Sequence, residues 1–194
     1  MTELLPLVFT SGWASGVNAY ATVLLLGLLG RFAGVDAVPA GLERTDVLIA
    51  AGVLYVVEFV ADKVPVLDST WDAVHTAIRP TVGAVIGLLV AGDADSLETA
   101  VLASTGGVTA LVSHLVKSGV RLAVNTSPEP ASNIGVSLLE DFSVAGVIAV
   151  AVAAPWVAAG IAAVLLVSGC VLVALLATRI RRGLRRRRER RTRL

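Results

Sequence analysis

The chain has 194 residues, of which 56% are hydrophobic, with a mean hydropathy of +0.82 and a formal net charge of +1. It contains several apolar stretches of about 18 or more residues, each long enough for the roughly 30 Å hydrocarbon core of a bilayer. These values exclude an ordinary water-soluble protein and indicate an all-α integral membrane protein. The single cysteine, Cys170, excludes an intramolecular disulfide and a metal-thiolate cluster.

The small net charge hides two opposed parts of the chain. From Arg179 onward, the sequence RIRRGLRRRRERRTRL carries ten arginines and one acid, which leaves six bases and 14 acids for the rest. Basic residues beside a membrane span remain in the cytoplasm. We therefore predict one transmembrane domain over residues 1–178 and a basic cytoplasmic tail over 179–194. The tail is expected to attract anionic lipid headgroups, and without interleaved aromatic residues it does not indicate specific binding of nucleic acid.

Hydropathy and turn residues predict six transmembrane helices in chain order, separated by turns such as GDADSLE and NTSPEPASN. The first segment has no basic stretch and no cleavage site, so it is expected to be retained as a span. Six spans and a cytoplasmic C-terminus also place the N-terminus in the cytoplasm, with the protein in the cell (inner) membrane. The predicted helices cover about 4–30, 46–63, 73–92, 97–123, 134–154 and 156–178.

Two of the predicted helices contain small and polar residues where a simple span would have Leu and Val. The first contains SGWASGVNAY and the fourth contains STGGVTAL. We expect helix breaks at these small residues. In many transporters, the backbone groups exposed at a helix break bind the substrate. The alternative is that the glycines only allow close packing of helices. The residues at the expected breaks are Gly12, Gly16, Asn18, Gly106 and Gly107.

The same two regions indicate a weak internal repeat. GVNAYATVLLLGLLGR, from Gly16, is similar to GVTALVSHLVKSGVR, from Gly107. The repeat divides the domain into units of about 4–92 and 97–178, each with three predicted spans. Because three is an odd number, the second unit enters the membrane in the opposite orientation, as in the inverted repeats of secondary transporters.

Arg31 and Arg44 fall on the outer side of the predicted topology, but a group of charged or titratable side chains within the predicted spans maps to the cytoplasmic half. In SHLVKSGVR, for example, His114, Lys117 and Arg121 share one helix face. An unpaired charge near the bilayer centre costs roughly 2.5 to 3.5 kcal/mol, so these groups should face one another around a polar cavity that binds a substrate or ion. Arg121 and Asp141 lie close to helix ends and could instead reach the headgroups. The predicted site residues are Glu58, Asp62, Asp72, His75, Arg79, His114, Lys117, Arg121, Glu140 and Asp141.

Three segments together carry a resemblance to a known family. SGVNAY, ADKVPVLDSTWDAVHTAIRP and SPEPASN resemble the bacterial membrane family called domain of unknown function 4126, and the likeness covers about residues 8–150. The resemblance implies a compact multi-span fold. It implies no activity, so no functional residue is carried over from it.

The pattern favours a transporter or channel-like translocator of a small or amphiphilic anionic solute, because four potentially positive side chains lie near the expected helix breaks. One alternative is a membrane-embedded enzyme acting on lipid phosphate, with Asp72 and His75 as general base and Arg79, Lys117 and Arg121 as an anion clamp. Another is a structural bundle in which the ion pairs only specify helix contacts. Soluble-enzyme motifs are absent, and no cofactor or metal is predicted. A homo-oligomer is compatible with the sequence.

Overall fold

The computed structural model describes residues 4–125 and 130–191, so residues 126–129 of the predicted NTSPEPASN turn and the last three residues of the predicted tail lie outside it. The described residues form seven helices and no strand, which confirms the all-helical class. Four helices, over 67–91, 96–124, 131–153 and 155–182, are long and apolar enough to cross a membrane. The helices are α1 Leu4–Val17, α2 Ala19–Ala33, α3 Thr45–Ala61, α4 Pro65–Ala91, α5 Ser96–Asn125, α6 Pro130–Ala153 and α7 Pro155–Arg191.

The bundle has an apolar exterior and a charged interior. Large apolar side chains such as Val53 on α3 and Val164 on α7 are exposed. A soluble protein has the reverse distribution, whereas membrane proteins turn their ionisable groups toward the bundle interior. This distribution, together with the four apolar helices, is that of a helical membrane protein. The largest fully buried side chains include Arg79, Arg121, His75, His114 and Glu58.

The first predicted span is interrupted at a single residue. Asn18 has an extended backbone, with φ −150° and ψ 102°, and separates α1 from α2. Its side-chain Oδ1 accepts a hydrogen bond of 2.9 Å from the Ala21 N–H, so Asn18 is the N-cap of α2. Among the breaks predicted in this segment, Asn18 is the one found, because α1 is helical through Gly12 and Gly16.

The two arms of this broken segment form a re-entrant hairpin. α1 runs parallel to α5, since Val8 packs with Leu102 and a Cβ on Gly12 would lie 2.7 Å from the Gly106 carbonyl oxygen. α2 then turns back, because a Cβ on Gly27 would lie 2.7 Å from Leu48 at the start of α3. The hairpin therefore enters the bundle by roughly 20 Å, at about 1.5 Å per residue, and returns to the end it came from. The predicted single span over 4–30 is wrong.

The remaining five helices, α3 to α7, cross the bundle in alternating directions. α4 and α5 pack closely, with Gly87 against Leu102 near one end and Ser118 bonded to Asp72 toward the other. We call the end of the bundle that holds Leu4, Ala91 and Ser96 the N-terminal end. α7 begins there and runs away from it, so its arginine-rich end lies at the opposite, tail end of the bundle. Leu4 and the end of α7 thus lie at opposite ends of the bundle, whereas the prediction had both termini on one side of the membrane.

The break predicted in the fourth helix is absent. α5 is helical through Gly106 and Gly107. These glycines allow close packing instead, since a Cβ on Gly83 would lie 2.5 Å from the Gly106 carbonyl oxygen. Two equal repeats of three helices are not found either, because the described residues form four helices up to Ala91 and three from Ser96.

Candidate functional site

Buried polar side chains from α3, α4, α5 and α6 meet around the tip of the re-entrant hairpin. This ionic cluster contains nine of the ten predicted site residues; His75 is the exception. It also contains Asp68 and Asn133, which are not among the predicted site residues. Its members are Glu58, Asp62, Asp68, Asp72, Arg79, His114, Lys117, Arg121, Asn133, Glu140 and Asp141.

Arg79 occupies the centre of α4, roughly 20 Å from each helix end at about 1.5 Å per residue. Its Nη2 lies 2.6 Å from Glu58 Oε1 and 3.4 Å from Asp72 Oδ1. Its Nη1 donates to the Gly16 carbonyl at 3.1 Å and to His114 Nδ1 at 2.9 Å. The side chains of Arg79 and Glu58 are both fully buried.

Lys117 joins the hairpin tip to the end of α3. Its Nζ lies 2.7 Å from Asp62 Oδ2, 3.6 Å from Glu140 Oε2 and 3.9 Å from Glu58 Oε1. It also donates to the Val17 carbonyl at 3.0 Å. Two of the predicted site acids, Glu58 and Glu140, therefore approach Lys117, but a third, Asp62, is the nearest.

The end of α1 explains why two bases lie at this depth. The last carbonyls of a helix lack partners within the helix and carry the negative end of its dipole. Here Gly16 and Val17 offer those carbonyls to Arg79 and Lys117, while Ser113 Oγ donates to the Trp13 carbonyl at 2.8 Å. The break at Asn18 thus creates acceptors inside the bundle that the bases occupy.

Arg121 contacts four residues and does not extend to a headgroup position. Its Nε and Nη2 both bond Glu140 Oε2, at 3.1 and 2.9 Å. Its Nη1 donates to the Asp62 carbonyl at 2.9 Å and to Asn133 Oδ1 at 2.8 Å, and its Nε lies 3.8 Å from Asp68 Oδ1. The side chain is 1% exposed, so the alternative that Arg121 snorkels is wrong.

His114 has its protonation pattern set by its neighbours. An arginine N–H always donates, so His114 Nδ1 accepts from Arg79 and the ring proton lies on Nε2. Nε2 faces Thr76 Oγ1 at 3.1 Å and Ser118 Oγ at 3.4 Å, and Ser118 donates to Asp72 Oδ2 at 3.1 Å. In this arrangement His114 is neutral and contributes no positive charge to the cluster.

His75 lies outside the ionic cluster. Its Nδ1 donates to the Trp71 carbonyl at 2.8 Å, and its Nε2 accepts from the Tyr20 hydroxyl at 3.1 Å. Its ring stacks on Trp71, with centroids 4.7 Å apart. It borders an apolar groove of about 740 Å³ between α3 and α4. The predicted pairing of His75 with Asp72 as a general base has no support from these contacts.

Asp141 is connected to the helix break by a hydrogen bond with Asn18. Its Oδ1 accepts from Asn18 Nδ2 at 3.2 Å, while its Oδ2 is buried and has no hydrogen-bond partner among the described residues. Asn18 therefore caps α2 with its oxygen and binds α6 with its nitrogen. The sequence predicted a break at Asn18 but not its contact with Asp141.

Two cavities reach the cluster. A polar cavity of about 250 Å³ lies between α4 and α5, and its lining includes Asp68, Asp72, Ser118 and Arg121. An amphipathic cavity of about 370 Å³ lies between α1, α5, α6 and α7. The second has apolar walls that include Trp13, Val116, Leu139 and Leu165, with Lys117 and Glu140 at its polar part.

The residues missed from the sequence have a recognisable pattern. On α6, Asn133 and Ser137 precede the predicted residue Glu140 at helical spacing, on a largely apolar helix. On α5, Ser118 lies one turn after His114. A search for polar stripes within apolar helices would find both sets. In the described part of the chain, no group of three or more His, Cys, Asp or Glu side chains is arranged to hold a metal ion.

Comparison with known proteins identifies the family. The family model named Domain of unknown function (DUF4126) matches residues 5–175, and the chain belongs to that family. The match extends the resemblance found in the sequence toward both ends. No curated protein and no solved structure matches the chain.

Proposed function

We propose that the protein is a membrane translocator of an amphiphilic anionic solute, with the ionic cluster and the amphipathic cavity as its binding site. The observation that carries the proposal is the helix break at Asn18, which places the carbonyls of Gly16 and Val17 beside Arg79 and Lys117 inside the bundle. Broken helices that expose backbone groups within the membrane are typical of transporter binding sites.

The amphipathic cavity supports this kind of solute. Its apolar walls suit a hydrocarbon segment, and Lys117 and Glu140 supply charge at its polar part. Glu140 is 16% exposed and makes the shortest ion pair with Arg121, at 2.9 Å. A solute carboxylate, sulfonate or phosphate would compete with Glu140 for Lys117 and Arg121.

Unequal access from the two ends supports a transport cycle. The polar cavity opens beside Asp68 and Asp72, on the tail-end half of α4. Toward the N-terminal end, Gly12, Gly83 and Gly106 bring α1, α4 and α5 into close backbone contact. A molecule with a polar cavity on one side and a tight seam on the other resembles one state of an alternating-access mechanism.

The enzyme alternative has weaker geometric support. Its phosphate clamp would use Arg79, Lys117 and Arg121, which already contact carboxylates. The solute of the proposed translocator meets the same carboxylates, so the clamp alone does not distinguish the two functions. His75 faces Tyr20 and Trp71 rather than the bases.

Transport by purified protein in liposomes tests the proposal. We expect uptake of labelled octanesulfonate, recovered chemically unchanged, and no uptake of choline. The Lys117→Met/Asp62→Asn double variant removes one charge of each sign and should fold but lose the flux. Labelled inorganic phosphate tests whether the apolar segment is required. A chemically altered product would favour the enzyme, and a folded protein that moves none of these probes would contradict the proposal.

A further inference from the structure

The ionic cluster holds more acids than bases. Six carboxyl groups face three permanently basic side chains, Arg79, Lys117 and Arg121. Lys63 lies at the edge of the cluster, where its Nζ donates to the Phe59 carbonyl at 2.8 Å. Even with Lys63 included, the acids exceed the bases by two. The carboxyl groups are those of Glu58, Asp62, Asp68, Asp72, Glu140 and Asp141.

Several of these carboxyl groups are incompletely bonded. Among the described residues, Glu58 Oε2, Asp62 Oδ1 and Asp72 Oδ1 are buried without a hydrogen-bond partner. The side chains of Glu58, Asp62 and Asp72 are 0%, 3% and 7% exposed. Each of the three carboxylates is ion-paired with Arg79 or Lys117, but the cluster as a whole has more acids than bases. Excess negative charge is strongly disfavoured in such buried surroundings, and binding of a proton neutralises it.

Asp141 is the acid that the bases compensate least. Within the described residues, no Lys or Arg nitrogen lies within 4.0 Å of its carboxylate, and the Asn18 amide is its hydrogen-bond donor. The charged groups that influence it are Lys117 on α5 and Asp62 and Lys63 at the end of α3. The charge of Asp141 also acts on Tyr55 on α3. Between residues 155 and 178, α7 offers only Cys170 as a titratable side chain, and it is exposed.

We infer that Asp141 binds a proton within the membrane and that the proton is the coupling ion of the translocator; the coupling rests on the proposed function. An anion entering a cluster that already has excess negative charge requires a compensating positive charge. A proton on Asp141 supplies it beside the helix break. Loss of that proton restores the negative charge and favours release of the anion, so solute and proton move in the same direction.

Infrared spectroscopy of the protein reconstituted in lipid tests the proton site without requiring transport. A protonated carboxyl group has a C=O stretch that an ionised carboxylate lacks. We expect this band in the wild type at pH 7, loss of part of it in Asp141→Asn, and no change in Asp36→Asn, which alters an exposed acid. Asp141→Glu should retain the band at a shifted frequency. This result would show that a carboxyl group at position 141 gives the band and that its loss in Asp141→Asn is not caused by unfolding. Absence of the band in the wild type, or its full persistence in folded Asp141→Asn, would overturn the inference.

Proton uptake during transport separates this inference from the proposed function. With pyranine inside the vesicles, an inward octanesulfonate gradient should acidify the lumen in the wild type, and Asp141→Asn should abolish the acidification. Octanesulfonate flux that causes no acidification, and that Asp141→Asn leaves unchanged, would overturn coupling while supporting translocation. The infrared band without octanesulfonate flux would support the proton site, overturn its coupling role and count against translocation.

Discussion

At the scale of single residues, the centre of the protein depends on how buried charges are compensated. Lys117 is 2% exposed, yet its Nζ has three carboxylates within 4.0 Å and a main-chain carbonyl at 3.0 Å. Removing one member of such a group leaves the others uncompensated, which costs more than the net stabilisation by the intact pair. The stability of the bundle should therefore fall when a single charged side chain is removed. It should change less when one base and its partner acid are removed together.

We predict that Lys117→Met lowers the free energy of unfolding by about 3 to 5 kcal/mol, because it leaves Asp62 without its closest base. Adding Asp62→Asn should recover much of this loss. Titration from mild detergent into SDS measures the free energy of unfolding. Lys63→Met is the matched control and should cost much less, since Lys63 is half-buried at the edge of the cluster. Wild-type stability for Lys117→Met would contradict the role given to this cluster.

The sequence identified most of the charged residues correctly but not all of their contacts. Helical spacing placed His114, Lys117 and Arg121 on one face, and the cost of burying charge indicated that acids would meet them. It could not select Asp62 over Glu58 as the nearest partner of Lys117, because one helical turn separates the two acids on α3. His75 shares a helix face with Asp72, yet the ring contact with Trp71 holds it outside the cluster.

At the scale of helices, glycine has different effects in α1 and α5. Glycine lowers helix propensity, but a helix ends only where the freed backbone groups find other partners. At the end of α1, the Asn18 side chain caps α2, and Arg79 and Lys117 bind the freed carbonyls. α5 continues through Gly106 and Gly107. Similar small-residue sequences therefore predicted two breaks, and one is present.

We predict that Gly106→Ala destabilises the protein by about 1 to 3 kcal/mol, as overpacking of a tight contact does. Its added methyl group would overlap the backbone of Gly83 on α4. Gly146→Ala on α6 is the control, because nothing lies within 4 Å of its Cβ position. The same SDS titration compares the two variants. Equal stability of both would show that the α4–α5 seam is looser than the structure indicates.

At the scale of the whole molecule, hydropathy identified where the helices lie but not where the chain reverses. The segment 4–30 is long and apolar enough for one span, and nothing in its hydropathy distinguishes a crossing helix from a hairpin that returns. The reversal depends on long-range contacts of Gly12 with Gly106 and of Gly27 with Leu48. One reversed segment places Leu4 at the opposite end of the bundle from the end of α7 and leaves five helices that cross the bundle.

The location of Leu4 tests the central feature of this account, a re-entrant hairpin whose tip meets the ionic cluster. In a Cys170→Ala background, single cysteines are introduced as Leu4→Cys, Ala94→Cys and Arg182→Cys and treated with an impermeant maleimide in intact and permeabilised cells. We predict that Leu4→Cys and Ala94→Cys are labelled in intact cells and that Arg182→Cys is labelled only after permeabilisation. If Leu4→Cys is instead protected together with Arg182→Cys, the first segment crosses the membrane and the hairpin is wrong.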